Sequence, residues 1–292
     1  MIASELPHAI GRDGRSIEGE RNALLPWWSI TKTVLAAAVL RLVDRGTLSI
    51  DDRYEDAPYT IRQLLQHTSG LNTYGGPYYQ AAVANGDPVW SVEELLERRN
   101  VRQLLFRPGE GWAYSNIGYL FVRRLIEAST GSDLDQALAA LVFGPMRIKG
   151  TRIALGPGDM ARTLWGNPTN YDPRWVYHGL LIGPPSDAVQ FLRSLFAPEF
   201  LSRQVLMSMQ DRHVLAGEVP GRPWLEIGYG LGLMMGNMRA IGRAVGHSGV
   251  GHDTVSSLYL FPDYQDHPII AVFAKGTDEG ATEREAVRLA IG

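Results

Sequence analysis

The spacing of the apolar residues changes near residue 226, and this change restricts the folds open to the chain. Four segments beyond that point have a period close to two, which is typical of half-buried strands. They are EIGYGLGLMMG, RAIGRAVGHSG, VSSLYLFP and PIIAVFAKG, and EGATEREAVRLAI follows them with helical spacing. We therefore predict consecutive antiparallel strands joined by short turns, with one helix closing the chain.

Helical spacing dominates before that point. Glycines in AIGRDGRSIEG indicate a short hairpin, and SITKTVLAAAVLRLVDRG predicts a helix that begins near Ser29 and ends at Gly46. Further helices are predicted for TIRQLLQHTSG from its capping threonine to Gly70, for SVEELLERR with a capping box of Ser91 and Glu94, and for SNIGYLFVRRLIEASTG, SDLDQALAALVFG, SDAVQFLRSLF and SRQVLMSMQ. Long loops rich in Pro and Gly are predicted for 71–90 and 156–185.

These patterns together predict an α/β fold, in which an antiparallel sheet flanked by helices carries an inserted all-α region. The sheet is expected from about 1–59 and 213–292, and the mainly helical region from about 60–212. No internal repeat or linker divides the sequence, so one domain over 1–292 is expected. The seam between the two regions is the natural place for a cleft.

Composition excludes several classes of function. The chain of 292 residues has a formal net charge of -3, which gives no basic field for nucleic acid, and it has no cysteine for disulfides, thiol catalysis or metal binding. Its longest apolar run, 34–40, is too short to span a bilayer, and its start lacks the pattern of a secretory signal. We expect a cytoplasmic protein that acts on a small molecule or peptide; its oligomeric state stays open.

One lysine stands out within the apolar helix. Only three of the 28 basic residues are lysine, and Lys32 follows Ser29 by three positions, so that both lie on one helix face. A helix N-terminus favours negative charge near the serine oxygen. A desolvated lysine has a lowered pKa and in its neutral form takes the serine proton. The pair therefore indicates an activated serine nucleophile.

Two further short motifs carry suitable chemistry. Tyr114 and Asn116 belong to Y-S-N, where a tyrosine beside Lys32 is able to exchange protons and an asparagine to bind a substrate carbonyl or hold the lysine. His247 begins H-S-G at a strand end, where the glycine allows a substrate to approach the backbone. All three motifs together are expected by chance fewer than about 0.01 times in such a chain.

The ordered set resembles the serine β-lactamase and penicillin-binding protein superfamily, in the class C-like branch that includes D-Ala-D-Ala carboxypeptidases and esterases. Y-S-N replaces the S-D-N of class A enzymes, and H-S-G replaces K-T-G. LLQHTSGL, RPGEGWAYSNIGY and YGLGL also resemble family segments, as do the intervals of 85 residues from Ser29 to Tyr114 and 133 from Tyr114 to His247. The resemblance extends from about residue 26 to the C-terminus.

This resemblance implies a β-lactamase/transpeptidase-like fold and a role for each motif residue. Ser29 is the expected acylated nucleophile, with Lys32 and Tyr114 as the proton-transfer pair. The expected substrate-binding residues are Asn116, His247, Ser248, Gly249 and Val250. The backbone amides of Ser29 and Val250 are expected to form the oxyanion hole, and Asn116 to contact the lysine as well. No metal and no cofactor are implied.

Two departures from the family pattern shape these expectations. Only 28 residues precede Ser29, so the sheet is expected either to lack an element or to be completed by a partner chain. His247 replaces the usual lysine and carries only a partial charge at neutral pH, which weakens attraction for a substrate carboxylate. An esterase or D-Ala-type peptidase is therefore favoured over a true β-lactamase. A non-catalytic member that binds a ligand or assembles is the other alternative.

Structural interpretations stand beside the chemical ones. Ser29 is equally placed for an ordinary N-cap and Lys32 for a solvated side chain, while His247 needs no function at a strand end. HTSGL is interpreted as a helix end capped by glycine. Aromatic residues near the motifs fit either an acyl pocket or core packing; they are Trp27, Trp28, Tyr74, Tyr78, Tyr79 and Trp112. GHSGV departs from the nucleophile elbow of α/β-hydrolases, and His247, His252 and Asp253 lack a metal-binding pattern.

Overall fold

The structure is a computed structural model that describes residues 6–292, so the first five residues of the predicted sheet region lie outside it. Its main element is an antiparallel sheet with the strand order β2-β1-β11-β10-β9-β8-β7-β6. The strands are β1 (His8–Gly11), β2 (Glu18–Gly19), β6 (His213–Ala216), β7 (Trp224–Tyr229), β8 (Met234–Met238), β9 (Gly242–Gly251), β10 (Thr254–Leu260) and β11 (Ile269–Lys275). A small second sheet has the order β3-β5-β4, formed by Leu25–Pro26, Leu181–Gly183 and Arg152–Ile153.

The short N-terminal segment does contribute to the sheet. β1 pairs with β11 along its whole length, and β2 pairs with β1 in the hairpin that the glycines predict. Both chain ends therefore meet in one sheet, as the change in period indicates.

The C-terminal strands differ from the prediction in one segment. EIGYGLGLMMG is not one strand but two, β7 and β8, with a tight turn in which the Gly230 amide donates to the Leu233 carbonyl at 2.8 Å. The turn needs Gly232, whose φ is +76° and where an added Cβ would lie 2.4 Å from Cβ of Ala36. Strand β6 was not predicted, because this short edge strand exposes most of its side chains and has no apolar alternation.

The helices are α1 (Ile30–Asp44), α2 (Ile61–Leu65), α3 (Pro77–Asn85), α4 (Val92–Arg98), α5 (Asn116–Thr130), α6 (Leu134–Leu138), α7 (Pro157–Ala161), α8 (Pro185–Leu195), α9 (Arg203–Gln210) and α10 (Glu279–Ile291). A π-helical turn, Ala139–Phe143, extends α6, and a 3₁₀ turn spans Pro173–Trp175. Every predicted helix is present. Helices α3 and α7 form inside the two predicted loops, and each has a proline in its first turn, where a missing amide costs nothing.

Two helix ends differ from the predictions. Helix α2 ends at Leu65 rather than at Gly70, because His67 adopts a φ of +62° and the Thr68 amide turns back to the Gln63 carbonyl. Ser91 caps α4 as expected, but the Glu94 carboxylate binds Arg98 instead of returning to the cap. The predicted capping box is therefore half formed.

Helices cover both faces of the main sheet. Alternate residues of β11 show this, since Ala271 and Phe273 join the core beside α1 and α8, whereas Ile270 and Val272 join the core beside α10. Helix α8 belongs to the chain region predicted as all-α, yet it packs on β1 and β11. No helix within residues 6–292 is both long and apolar enough to cross a bilayer.

The small second sheet fixes the start of α1. Strand β3 precedes α1 directly, and β5 pairs with it from the end of the long loop before α8. The Trp27 amide extends this pairing by donating to the Leu181 carbonyl at 2.9 Å. The first turn of α1 is thus held between the second sheet and the main sheet.

Candidate active site

Ser29 lies at the N-terminus of α1, directly after a residue with unusual backbone geometry. Trp28 has a φ of +46°, in the left-handed region that a bulky residue rarely occupies. Its indole donates to the Thr254 hydroxyl at 2.7 Å, and its ring packs edge-on against Tyr171. Ser29 holds the N-cap position, but its side chain makes no capping hydrogen bond. The hydroxyl is therefore left for another partner.

That partner is the buried lysine one turn later. Nζ of Lys32 lies 3.1 Å from Oγ of Ser29, and the side chain is fully buried. Burial holds the pKa of Lys32 well below its ordinary 10.5, and the distant charge of Glu279 offsets this only in part. A neutral amine beside the serine hydroxyl is the arrangement that a general base requires.

Tyr114 lies over the same lysine. Its ring centroid is 4.9 Å from Nζ of Lys32, and the side chain is half-buried at the end of the loop before α5. Burial raises the pKa of Tyr114 well above 10, although its hydrogen bond with Ser29 acts in the opposite direction. Tyr114 is therefore a neutral phenol in the free protein. This state favours Lys32 over a tyrosine phenolate as the initial base.

Asn116 is the first residue of α5, but its predicted contact with Lys32 is absent. The amide of Asn116 donates to the Thr73 hydroxyl at 3.1 Å, and its side chain lines the cavity in front of Ser29. Ser115 caps the helix, with its hydroxyl 2.9 Å from the Gly118 amide. Asn116 therefore borders the cavity without a hydrogen bond to Lys32, and its contact with a substrate stays a prediction.

His178 takes the place beside the lysine that the sequence suggested for Asn116. Its Nε2 lies 3.2 Å from Nζ of Lys32, and its Nδ1 lies 2.8 Å from the hydroxyl of Tyr74. The residue is 3% exposed and comes from the loop between the 3₁₀ turn and β5. Sequence reasoning missed it, because no motif or periodic pattern marks a single histidine inside a predicted loop.

His67, from HTSGL, is a second residue that sequence reasoning missed. Its ring is tilted against those of Tyr114 and Tyr229, with centroids 4.3 and 4.6 Å away, and its Nδ1 accepts a hydrogen bond from the Ser115 amide at 3.1 Å. Burial lowers the pKa of His67 well below 6.5, with Lys32 as a further cause. The segment follows a helix end, as interpreted, but His67 and not a glycine takes the left-handed position after α2, and its ring packs against that of Tyr114.

His247 does not occupy the position expected of a carboxylate-binding residue. It is 2% exposed, its Nε2 lies 2.9 Å from the Tyr229 hydroxyl, and its Nδ1 contacts the Ser248 carbonyl. Burial and the nearby Lys32 lower the pKa of His247 to about 3. The imidazole is therefore neutral at physiological pH, and it is not among the described residues that line the cavity. The prediction of a partial charge available to substrate was wrong.

The Ser248 side chain is turned away from the site. Its hydroxyl points to the opposite face of the sheet, where it donates to Glu283 of α10 at 2.6 Å, because side chains alternate along a strand. A Cβ on Gly249 would lie 2.7 Å from the Ser29 amide nitrogen and 2.8 Å from Cβ of Trp28. The glycine therefore lets β9 approach Ser29, and its expected contact with a substrate stays a prediction.

The approach of β9 to the start of α1 puts Ser29 and Val250 beside the same cavity. No acceptor in the described part of the chain takes the Ser29 amide, since the hydrogen bonds of this turn begin with the Ile30 amide to the Trp27 carbonyl. Val250 is 44% exposed. An oxyanion hole formed by the backbone amides of these two residues stays a prediction.

If Ser29 is the nucleophile that the resemblance implies, replacing Gly249 with alanine should lower the rate of ester hydrolysis at least about tenfold, because the new Cβ forces β9 away from the Ser29 amide. Gly158→Ala is a matched control, since an added Cβ there meets no atom within 4 Å. Hydrolysis of a p-nitrophenyl ester at equal folded-protein concentrations gives the measurement. Equal rates for the wild type and Gly249→Ala would contradict this account of the glycine.

A cavity of about 480 Å³ opens in front of Ser29. Its lining includes four aromatic residues, Trp28, Tyr74, Tyr79 and Tyr171, and the described lining residues include no Asp, Glu, Lys or Arg. Of the six aromatic residues considered for an acyl pocket, Trp28, Tyr74 and Tyr79 line the cavity and Trp27, Tyr78 and Trp112 do not. The cavity suits a neutral, apolar group better than a carboxylate, because buried charges need partners.

The histidine and carboxylate side chains show no arrangement for a metal. Among residues 6–292 no three or more His, Asp or Glu side chains converge as ligands. His252 instead stacks on Tyr171 with centroids 4.9 Å apart, and its Nε2 lies 2.6 Å from the Thr169 hydroxyl.

The chain matches one family model and several known proteins. The family model described as Beta-lactamase matches residues 9–291. Penicillin-binding protein 4* of Bacillus subtilis (strain 168) is 26% identical over an alignment of 309 positions, which covers 91% of this chain and 63% of that protein. Esterase EstB of Burkholderia gladioli is 34% identical over 142 residues, or 41% of this chain and 36% of the esterase. The chain thus spans less than two thirds of the curated relatives' length.

Solved structures show the same fold. The D-amino acid amidase of Ochrobactrum anthropi SV3, complexed with D-phenylalanine, superposes with a TM-score of 0.79 at 20% identity. The superposition covers 97% of this chain and 93% of the amidase. The predicted α/β fold with an antiparallel sheet and a helical region, of the β-lactamase/transpeptidase type, is confirmed.

Proposed function

The chain belongs to the Beta-lactamase family, and on that premise we propose that it is a serine hydrolase that forms an acyl-enzyme on Ser29 from a neutral ester or amide. The observation that carries the proposal is the fully buried Lys32, whose amine lies 3.1 Å from the Ser29 hydroxyl. Burial favours the neutral form of this lysine. Its amine then acts as a base, and the proton within its reach is that of the Ser29 hydroxyl.

Acylation uses the groups already in place. Lys32 takes the hydroxyl proton as Oγ of Ser29 bonds to the substrate carbonyl carbon, and the amides of Ser29 and Val250 donate to the negative oxygen that forms. Collapse of this intermediate breaks the bond to the alcohol or amine, which receives a proton from the phenol of Tyr114. Lys32 then returns its proton to Tyr114. Water repeats these steps on the acyl-enzyme and releases the acid.

The cavity favours substrates without a carboxylate next to the reacting bond. The third motif has no lysine, His247 is neutral and turned towards Tyr229, and the described lining residues include no Lys or Arg. A carboxylate there would lose its hydration without gaining a partner. The names of two relatives, an esterase and a D-amino acid amidase, are consistent with this preference. D-Ala carboxypeptidase and β-lactamase activities are the less favoured alternatives.

Intact-mass spectrometry and initial rates test the proposal directly. The folded protein is incubated with a fluorophosphonate, p-nitrophenyl butyrate, D-phenylalanine p-nitroanilide, acetyl-D-Ala-D-Ala and a fluorescent penicillin. We expect a fluorophosphonate adduct that peptide mapping places on Ser29, turnover of the neutral ester or anilide, and little reaction with the two carboxylates.

The alternatives give different results. Stable penicillin labelling with cleavage of acetyl-D-Ala-D-Ala would favour the peptidase, and penicillin turnover the β-lactamase. No adduct with any reagent would refute the hydrolase and favour a ligand-binding or scaffolding role for the same cleft.

A further inference from the structure

A series of buried polar contacts leads from the serine through Lys32 to Tyr74. It runs from Ser29 to Lys32 at 3.1 Å, from Lys32 to Nε2 of His178 at 3.2 Å, and from Nδ1 of His178 to the hydroxyl of Tyr74 at 2.8 Å. All three bonded pairs lie at hydrogen-bond distance, and Lys32, His178 and Tyr74 are all buried. None of the three sequence motifs contains His178 or Tyr74.

The hydrogen bonds of Lys32 and Tyr74 determine which ring nitrogen of His178 carries the proton. Lys32 acts as a base only if its lone pair points at the Ser29 hydroxyl, so the amine must offer an N–H to His178. Nε2 of His178 then accepts, and the ring proton lies on Nδ1, where it is donated to the Tyr74 oxygen. The opposite tautomer would donate from Nε2 into the lysine lone pair and block the base.

This tautomer also suits the protonated lysine that forms during acylation. After Lys32 takes the serine proton, its ammonium still donates to Nε2 of His178, and a hydrogen bond to a charged donor is stronger than one to a neutral amine. Tyr74 accepts from Nδ1 and keeps its own hydroxyl proton, and it also lines the cavity. His178 thus aims the lysine before the step and stabilises it after the step.

Other groups around the pair do not supply this acceptor. Tyr114 and Tyr119 present ring faces to Nζ of Lys32, at 4.9 and 5.6 Å from their centroids. The titratable and charged groups that act on Lys32 or His178 from neighbouring elements are His67, Tyr74, Tyr114, Tyr119, Arg123, His247 and Glu279. Burial and the Lys32 charge hold the pKa of His178 well below 6.5, so the ring stays a neutral acceptor.

We propose that His178, oriented by Tyr74, is a positioning residue that acts through Lys32: it directs the lysine lone pair at Ser29 and accepts a hydrogen bond from the lysine during acylation. The inference rests on the proposed hydrolase function for its catalytic meaning, but the effect on the lysine is measurable without turnover.

Lysine NMR provides that measurement, because the chain contains only three lysines. Protein with ¹³C-labelled lysine should give three side-chain signals, which Lys149→Arg and Lys275→Arg variants assign. In His178→Leu we expect the titration midpoint of Lys32 to fall by roughly one pH unit, since an acceptor of the ammonium proton is lost. His178→Gln keeps an acceptor oxygen, so its midpoint should stay closer to that of the wild type.

Acylation kinetics complete the test. We expect His178→Leu to acylate p-nitrophenyl butyrate roughly 10- to 100-fold more slowly, with the acid limb of the pH profile moved to lower pH together with the NMR midpoint. Tyr74→Phe leaves His178 in place and should shift both readouts in the same direction by less. This variant keeps the test valid if His178→Leu does not fold.

The outcomes separate this inference from the proposed function. A folded His178→Leu or Tyr74→Phe variant with the wild-type Lys32 midpoint would overturn the positioning role, even if its rate were lower. A shifted midpoint in a protein whose wild type forms no acyl-enzyme would instead refute the hydrolase and leave the His178–Lys32 coupling standing.

Discussion

Replacing Lys32 with methionine is expected to lower the acylation rate constant for a p-nitrophenyl ester by roughly 10³-fold or more. The change removes the buried amine 3.1 Å from the Ser29 hydroxyl, and general base catalysis of this kind contributes about 10²- to 10⁴-fold. Methionine has a similar length and no polar head, so the buried site keeps its packing. The free energy of unfolding should therefore not fall, which separates a catalytic loss from a folding loss.

The chain offers matched controls for this experiment. Lys149 and Lys275 are both exposed, and Lys149→Met or Lys275→Met should retain wild-type acylation rates. For the wild type, kcat/KM should fall as the pH drops through the lowered pKa of Lys32, because the protonated lysine takes no second proton. His247 has a pKa of about 3, so its titration should not change kcat/KM near neutral pH. A Lys32→Met variant within tenfold of the wild type would remove the lysine from the mechanism.

Much of the fold follows from local patterns in the sequence. The helix after Ser29, the helix capped at Ser115 and the strands after Gly242 are predictable, because their apolar period extends over many residues. The turn between β7 and β8 is not predictable in this way. It needs Gly232 because any side chain there would collide with Ala36, which is distant along the chain. The same reason explains the second sheet, whose strands have only two or three residues and in which β3 pairs with β5 across more than a hundred positions.

The site was predictable where its chemistry lies within one element. Ser29 and Lys32 face each other because helical spacing puts them one turn apart, and Tyr114 joins them through a recognisable motif. The second partner of Lys32 was not predictable, because His178 comes from a loop whose path depends on tertiary packing. The charge of His247 was not predictable either, because it depends on burial, which lowers the pKa of His247 and makes the residue neutral.

Strand register explains the remaining difference at the third motif. A one-residue step along β9 moves a side chain from the cleft to the opposite face, so Ser248 faces α10 although both its neighbours face α1. There it joins a buried network on Glu283, which is fully buried. The donors to Glu283 are Ser248, Tyr259, Trp224 and Arg222. The strand that borders Ser29 is thus anchored from behind by a carboxylate.

Replacing Glu283 with leucine is expected to lower the free energy of unfolding by about 3–5 kcal/mol, because it leaves a mostly buried Arg222 with one weaker partner and the buried Trp224 indole with none. The Arg222 side chain is only 18% exposed, and the remaining contact is 3.3 Å from Glu279. Glu285→Gln, on the same helix, removes a surface pair with Arg288 and should cost less than about 1 kcal/mol. Urea unfolding of the three proteins measures both changes. Equal losses for Glu283→Leu and Glu285→Gln would show that the neighbouring strands alone hold β9 in place. The expected large difference would show that the Glu283 carboxylate behind the sheet helps to fix β9, and with it Gly249 on the side of Ser29.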